Sequence, residues 1–248
     1  MFAPVVTLYR LFFILGLMLV MSASVSGFAE ENTCINCHQQ LTELQHVGHN
    51  YTDWKKSIHA AKGVTCQSCH GGNATATDPV KAHQGVLSSK DSNSSVYFQK
   101  IPATCGRCHT NEFQEFKKSI HYKTLNRTGR GPNCLTCHGA MATTVLSYSD
   151  LEQTCSLCHG KPVKAAKAFS LLHTLKGSLK LYQKKLSEYK GQASERFVKM
   201  EKDFVQRYNA VQKKWHSFNV DEVIGEAESL IKEVKSAETE LGKKPATK

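Results

Sequence analysis

One five-residue word recurs five times along the chain: Cys34-x-x-Cys37-His38, Cys66-x-x-Cys69-His70, Cys105-x-x-Cys108-His109, Cys134-x-x-Cys137-His138 and Cys155-x-x-Cys158-His159. Two cysteines about one helical turn apart can each form a thioether to one vinyl group of the same porphyrin. The histidine that follows then reaches the iron from the proximal side. The spacing therefore predicts five c-type haems as cofactors, with the ten cysteines as attachment points. His38, His70, His109, His138 and His159 are the expected proximal iron ligands. All ten cysteines of the sequence fall in these words, so no thiol is spare for a disulfide. A zinc ribbon or a thioredoxin-type redox pair needs no histidine after every second cysteine.

Five proximal histidines leave seven others: His46, His49, His59, His83, His121, His173 and His216. A six-coordinate haem takes a second axial ligand, usually His or Met. His59 and His121 come first, because they sit in an internal repeat. Tyr51-Thr52-Asp53-Trp54-Lys55-Lys56-Ser57-Ile58-His59 matches Phe113-Gln114-Glu115-Phe116-Lys117-Lys118-Ser119-Ile120-His121 position for position. Aromatics at i and i+3 with His at i+8 predict one amphipathic helix in each copy, aromatics on a porphyrin and histidine on an iron. His83, on the loop after the second word, and His173, near the start of the tail, come next. One of His46 and His49 is expected to serve another haem. His216, far along the tail beside Trp215, reads as a bystander, and Met141 is an outside candidate.

The first residues predict an export signal. Arg10 precedes an apolar run from Leu11 to Val20, and Gly27-Phe28-Ala29 ends it with small residues at the cleavage positions. The run is short against the roughly 20 apolar residues of a membrane span. Residues 1–29 are read as a cleaved signal peptide, and the periplasm, with a possible membrane association, as the destination.

Charge divides the rest. Residues 30–160 carry 12 Lys+Arg against 10 Asp+Glu, and residues 161–248 carry 19 against 11. Haem propionates make the first part acidic, so the tail faces it with opposite sign. A basic tail on an exported haem protein does not point to nucleic acid as a partner. The haem part lacks long apolar runs and is rich in turn residues, as around Gly71-Gly72-Asn73 and Gly129-Arg130-Gly131-Pro132. The tail shows apolar stripes. Leu172, Leu175, Leu179, Tyr182, Leu186 and Tyr189 form the first. Phe197, Met200, Phe204, Tyr208, Val211, Trp215 and Phe218 form the second. Asn219 with Glu222 predicts a capping box for a third helix running to Leu241. The expected fold is mainly α: short helices and loops around stacked haems in residues 30–160, then an antiparallel helical bundle in residues 161–248.

The stretch Trp54-Lys55-Lys56-Ser57-Ile58-His59, with Gly63-Val64-Thr65-Cys66, Cys69-His70-Gly71-Gly72-Asn73 and Ala82-His83, resembles a recurrent pattern of the multihaem cytochrome c superfamily. Its members include cytochrome c-554 type carriers, hydroxylamine oxidoreductase and pentahaem nitrite reductase. The resemblance spans about Cys34 to Gly160 and implies that His59, His83 and His121 are distal ligands. The chain departs from the nitrite reductases in having no C-x-x-C-K word, and from hydroxylamine oxidoreductase in having five haem words against eight. Many relatives carry a histidine where Met141 stands.

The leading expectation is an electron carrier between redox proteins, from a quinol oxidase to a terminal reductase or an acceptor at the outer surface, in anaerobic respiration. The alternative is a small multihaem reductase of the nitrite, hydroxylamine or tetrathionate class, with one open iron position. The basic tail is expected to be dispensable for haem attachment and to dock an acidic redox partner or a second copy in a homodimer.

Overall fold

The computed structural model describes residues 32–41, 51–189 and 194–243. The expected signal peptide, His46 and His49 lie outside them. The described chain is helical, without strands among the described residues.

Short helices run through the first part: α1 (Thr33–His38), α2 (Tyr51–Lys55), α3 (Ile58–Ala61), α4 (Gln67–His70), α5 (Pro79–Ala82), α6 (Ile101–Cys105), α7 (Thr110–Lys118), α8 (Ile120–Thr128), α9 (Cys134–His138) and α10 (Tyr148–Ser156). Each haem word lies on or at the end of one of them, because its two cysteines need about one turn of helix to share a face. Local caps set where the turns begin. The Asn32 side chain accepts from the Ile35 amide to start α1, and Asn133 accepts from Leu135 and Thr136 to start α9. Glycines stop two of them just after the histidine, with Gly71 at φ 77° and Gly139 at φ 80°. Gly72 is required for a second reason: a Cβ there would lie 2.6 Å from the Ala82 carbonyl oxygen.

Little apolar side-chain core supports this region. Ile101, Phe116, Leu125 and Leu151 are its buried large hydrophobics. The rest of the described apolar core lies in three long helices: α11 (Val163–Glu188), α12 (Ser194–Lys214) and α13 (Val220–Leu241).

The stripes read from the sequence meet in that bundle. Leu175, Leu179 and Tyr182 of α11 pack with Phe197 and Phe204 of α12 and with Leu230, Ile231 and Val234 of α13. Cross-helix pairs give the directions. Arg196 pairs with Glu240 and Arg207 with Glu233, so α12 and α13 are antiparallel. The rings of Phe169 and Trp215, Tyr182 and Phe204, and Tyr189 and Phe197 meet in turn, so α11 and α12 are antiparallel too. Lys164 meets Asp221 and Lys185 meets Glu238, so α11 and α13 run the same way. This is the up-down-up order that two short connections impose.

Two local expectations change. Each copy of the repeat forms two helices rather than one. Ser57 and Ser119 are extended, at ψ 158° and 154°, and their hydroxyls cap the helices that begin at Ile58 and Ile120. A serine that accepts from the amide three residues on competes with helix continuation and breaks the run. The capping box at Asn219 is also absent. Its side chain donates to Glu222 at 2.8 Å and makes no hydrogen bond to a helix amide. Glu222 is held in turn by Lys214.

Leu175 is fully buried at the bundle centre. Leu175→Ala is expected to lower stability by about 2–5 kcal/mol, read as a lower urea midpoint by far-ultraviolet circular dichroism.

Candidate functional site

Among the described residues, four of the five word histidines face a histidine from elsewhere in the chain. Ring centres are 6.1 Å apart for His38 and His83, and 6.1 Å for His59 and His109. They are 5.9 Å apart for His121 and His159, and 6.3 Å for His138 and His216. Two metal–nitrogen bonds of about 2 Å in line, with the half-width of each ring, separate two imidazole centres by about 6 Å. Each pair therefore has the spacing that one six-coordinate iron would set.

Other features fit a haem at these places. His83 Nδ1 lies 2.8 Å from the Pro79 carbonyl, His138 Nδ1 2.9 Å from Thr144, and His216 Nδ1 3.2 Å from Lys213. A backbone carbonyl that accepts a hydrogen bond from Nδ1–H fixes the ring and leaves Nε2 for a metal. Burial, and then the facing imidazole, lowers the pKa of His59 and of His121, which favours the neutral, metal-binding form. His121 Nδ1 is buried without a hydrogen-bond partner. Apolar side chains stand open beside the repeat histidines, Ile58 at 49% and Ile120 at 68% exposure, as a porphyrin edge requires. Among the described residues, no three His, Cys, Asp or Glu side chains gather as a zinc site would need.

The thiols are drawn together as well. Cys134 and Cys105 share a hydrogen bond, which raises the pKa of the first and lowers that of the second. Burial pushes the Cys137 thiol up to about 11, with Cys155 and Cys158 adding to the effect. Burial also raises Cys66 and Cys69. Cys34 lies near the first, and Cys105 and Cys108 lie near the second.

The pairing explains the repeat. His59 precedes the second word and faces the histidine of the third. His121 precedes the fourth word and faces the histidine of the fifth. Each copy thus skips the next word and reaches the one after it. The serine break makes the reach possible by turning the histidine-bearing helix out of line with the one before it.

His216 is the main departure from the sequence reading, which had it as a bystander. After α12 the chain tightens into a 3₁₀ turn, Trp215–Ser217, and Phe218 takes a left-handed φ of 57°. Among the described residues Phe218 is the only non-glycine with positive φ. The turn sets His216 over His138 at 25° between ring planes, and Phe218 edge-on to His121 at 4.5 Å. The second apolar stripe thus ends by leaving the bundle and entering the haem region. The available signal was a histidine between Trp215 and Phe218 at the point where the stripe meets a helix end.

His173 departs in the other direction. It is exposed on α11 between the buried Leu172 and Leu175, on the outward face that carries Lys176, Lys180 and Lys184. Among the described residues no histidine ring is placed against it. Met141 is not the group opposite His138, because His216 holds that position. His46 and His49, the remaining candidates, lie outside the described residues, and His70 sits at the end of α4.

Known proteins match part of the chain. The cytochrome c552 family description matches residues 39–131. The C-type polyheme cytochrome OmcB of Geobacter sulfurreducens is 27% identical over 130 residues, covering 48% of this chain and 16% of that protein. The C-type polyheme cytochrome OmcC of the same species is 26% identical over 96 residues, covering 39% of this chain and 12% of that protein. The chain thus spans about a sixth or less of the length of these relatives. No solved structure matches.

Ser119 ties the site to its helix. Its hydroxyl accepts from the Tyr122 amide at 3.0 Å and donates to the Phe116 carbonyl at 2.6 Å, in a buried position. Ser119→Ala is expected to cost about 1–2 kcal/mol in guanidinium unfolding of the haem-loaded protein. Ser119→Thr, which keeps the cap, should recover most of it.

Proposed function

Because this chain is a multihaem c-type cytochrome, we propose that it carries five c haems and transfers electrons between redox proteins. The observation that carries the reading is the set of four opposed histidine pairs. An iron already held on both sides is suited to exchanging electrons and poorly suited to binding a substrate. The same pairs weigh against the reductase alternative at those four sites.

When bound, the haems supply the one-electron chemistry. The protein's own residues do the rest. The ten word cysteines fix each group covalently. His38, His70, His109, His138 and His159 hold the proximal side. His83, His59, His121 and His216 supply the second ligand at the first, third, fifth and fourth sites. His46 or His49 supplies it at the second. Ligation by two histidines keeps the potentials low, where a methionine would raise them.

The chain is proposed to work in the periplasm, after removal of residues 1–29, between a quinol-oxidising donor and a reductase or outer acceptor. Its partners meet a bundle whose charge is sorted by helix. The acidic α13 pairs Asp221, Glu233 and Glu238 with cations of the other two helices. Lys176, Lys180 and Lys184 stay exposed along α11. Such a stripe attracts an acidic protein surface, with an attraction that weakens as salt screens it.

Intact mass of the exported protein should show five haems. Electron paramagnetic resonance of the oxidised protein should show low-spin iron throughout. Three haems or fewer, or a catalytically active high-spin site, would overturn the proposal.

His216→Ala should convert one haem to a high-spin or water-ligated state while five remain attached. Truncation after Lys180, which removes His216 and most of the bundle, should do the same. If both variants keep the spectrum of the full chain, His216 is no ligand and the tail is separable from the haem sites.

A further inference from the structure

The contacts between haem words follow a simple rule. Words one and two are joined by Asn32 Nδ2 donating to Gln67 Oε1 at 3.1 Å and by the Thr33 amide donating to the Ala74 carbonyl at 2.8 Å. Words two and three are joined by the Arg107 guanidinium on the Ser68 carbonyl at 2.9 Å. Ser95 bridges the same two, donating to the Cys69 carbonyl and accepting at its own carbonyl from Thr104 at 2.6 Å. For words three and four, α6 packs on α9, and Asn133 Nδ2 donates to the Phe98 carbonyl at 2.9 Å. For words four and five, α9 packs on α10. Beyond them, Phe218 lies against His121, the partner of the fifth word, two residues after the partner of the fourth. None of these contacts joins two words that are not neighbours in the sequence.

We propose that the chain holds its five haem sites in single file and in sequence order, with the first and fifth sites as its two ends; this rests on the haem loading proposed above. Its own residues set the file. The first three joins include hydrogen bonds that must break before one word can move away from the next, and the fourth is made by helix packing. The alternatives are a branched cluster, in which one site touches three others, and a folded-back order, in which the ends meet. A single file has two exchange points, and the three inner sites pass electrons only along the line. The bundle, anchored by His216 and Phe218, sits beside the fourth and fifth sites, so the two ends present different surfaces.

The test marks one site at a time in the haem-loaded full chain. His83→Met, His59→Met and His121→Met place a methionine opposite the first, third and fifth proximal histidines, which raises the potential of that site alone. Each protein is poised so that only the marked site is reduced. The haem-methyl lines of the remaining oxidised sites are then followed by paramagnetic NMR. Reduction of the marked third site should shift two other haems strongly, and reduction of the marked first or fifth site only one. A strong shift of two haems from an end site, or of one or three from the third, overturns the order. A crystal structure with anomalous iron positions gives the same decision without variants. Consecutive irons should be nearest neighbours, with the first and fifth farthest apart, and any other sequence of neighbours overturns the proposal. Loss of a haem from the unmodified protein would instead count against the loading, which the mass measurement reads separately.

Discussion

The haem half of the chain depends on imidazole facing imidazole. Its buried apolar side chains are few: Ile101, Phe116, Leu125 and Leu151 cannot by themselves order the long stretch of short helices and turns around them. An iron held between the histidines of each pair would tie that stretch together instead. His38 is joined to His83 across the second word, His59 to His109 across the same word, and His121 to His159 across the fourth. Each of these pairs spans a haem word, and the spans of the first two overlap. The structural role of the cofactor and its chemical role therefore fall on the same residues, and loss of one axial histidine affects both.

The bundle is stabilised differently. Leu175, Tyr182, Leu230 and Val234 give it an ordinary side-chain core. Its charges divide by helix, so a tail that is strongly basic as a whole contains one acidic member. That member, α13, is spent on the other two helices through Lys164, Lys185, Arg196 and Arg207. These pairs are largely exposed and contribute little stability individually, but they fix which helix lies beside which. What remains outward is a line of lysines on α11.

Much of this was legible in the sequence, and the failures have causes. The haem words carry their own geometry, so the short helices at them could be read directly. The tail stripes have helical period, so the three long helices could be read too. The repeat marked His59 and His121, but not which word each would face. That depends on the bend at Ser57 and Ser119, and a bend of one residue changes a direction without changing a pattern. The ranking of His173 above His216 did not anticipate where the two rings lie, for a related reason. Nearness in sequence to the fifth word favoured His173, but helical phase puts it outside with the lysines. The fate of His216 depended on Phe218 adopting a left-handed φ, which a phenylalanine rarely does and no periodicity announces.

The pairing of His138 with His216 also has a consequence for the chain as a polymer. An iron held between them would be a cross-link that closes a loop of about 80 residues, and by chain-entropy reasoning such a closure would remove about 4.5 kcal/mol of freedom from the unfolded state. The chain has no spare cysteine with which to make a disulfide of that reach. A reversible metal bond would take its place, and it would form only after residue 216 had been made. The bundle and the fourth site would then melt together rather than one after the other.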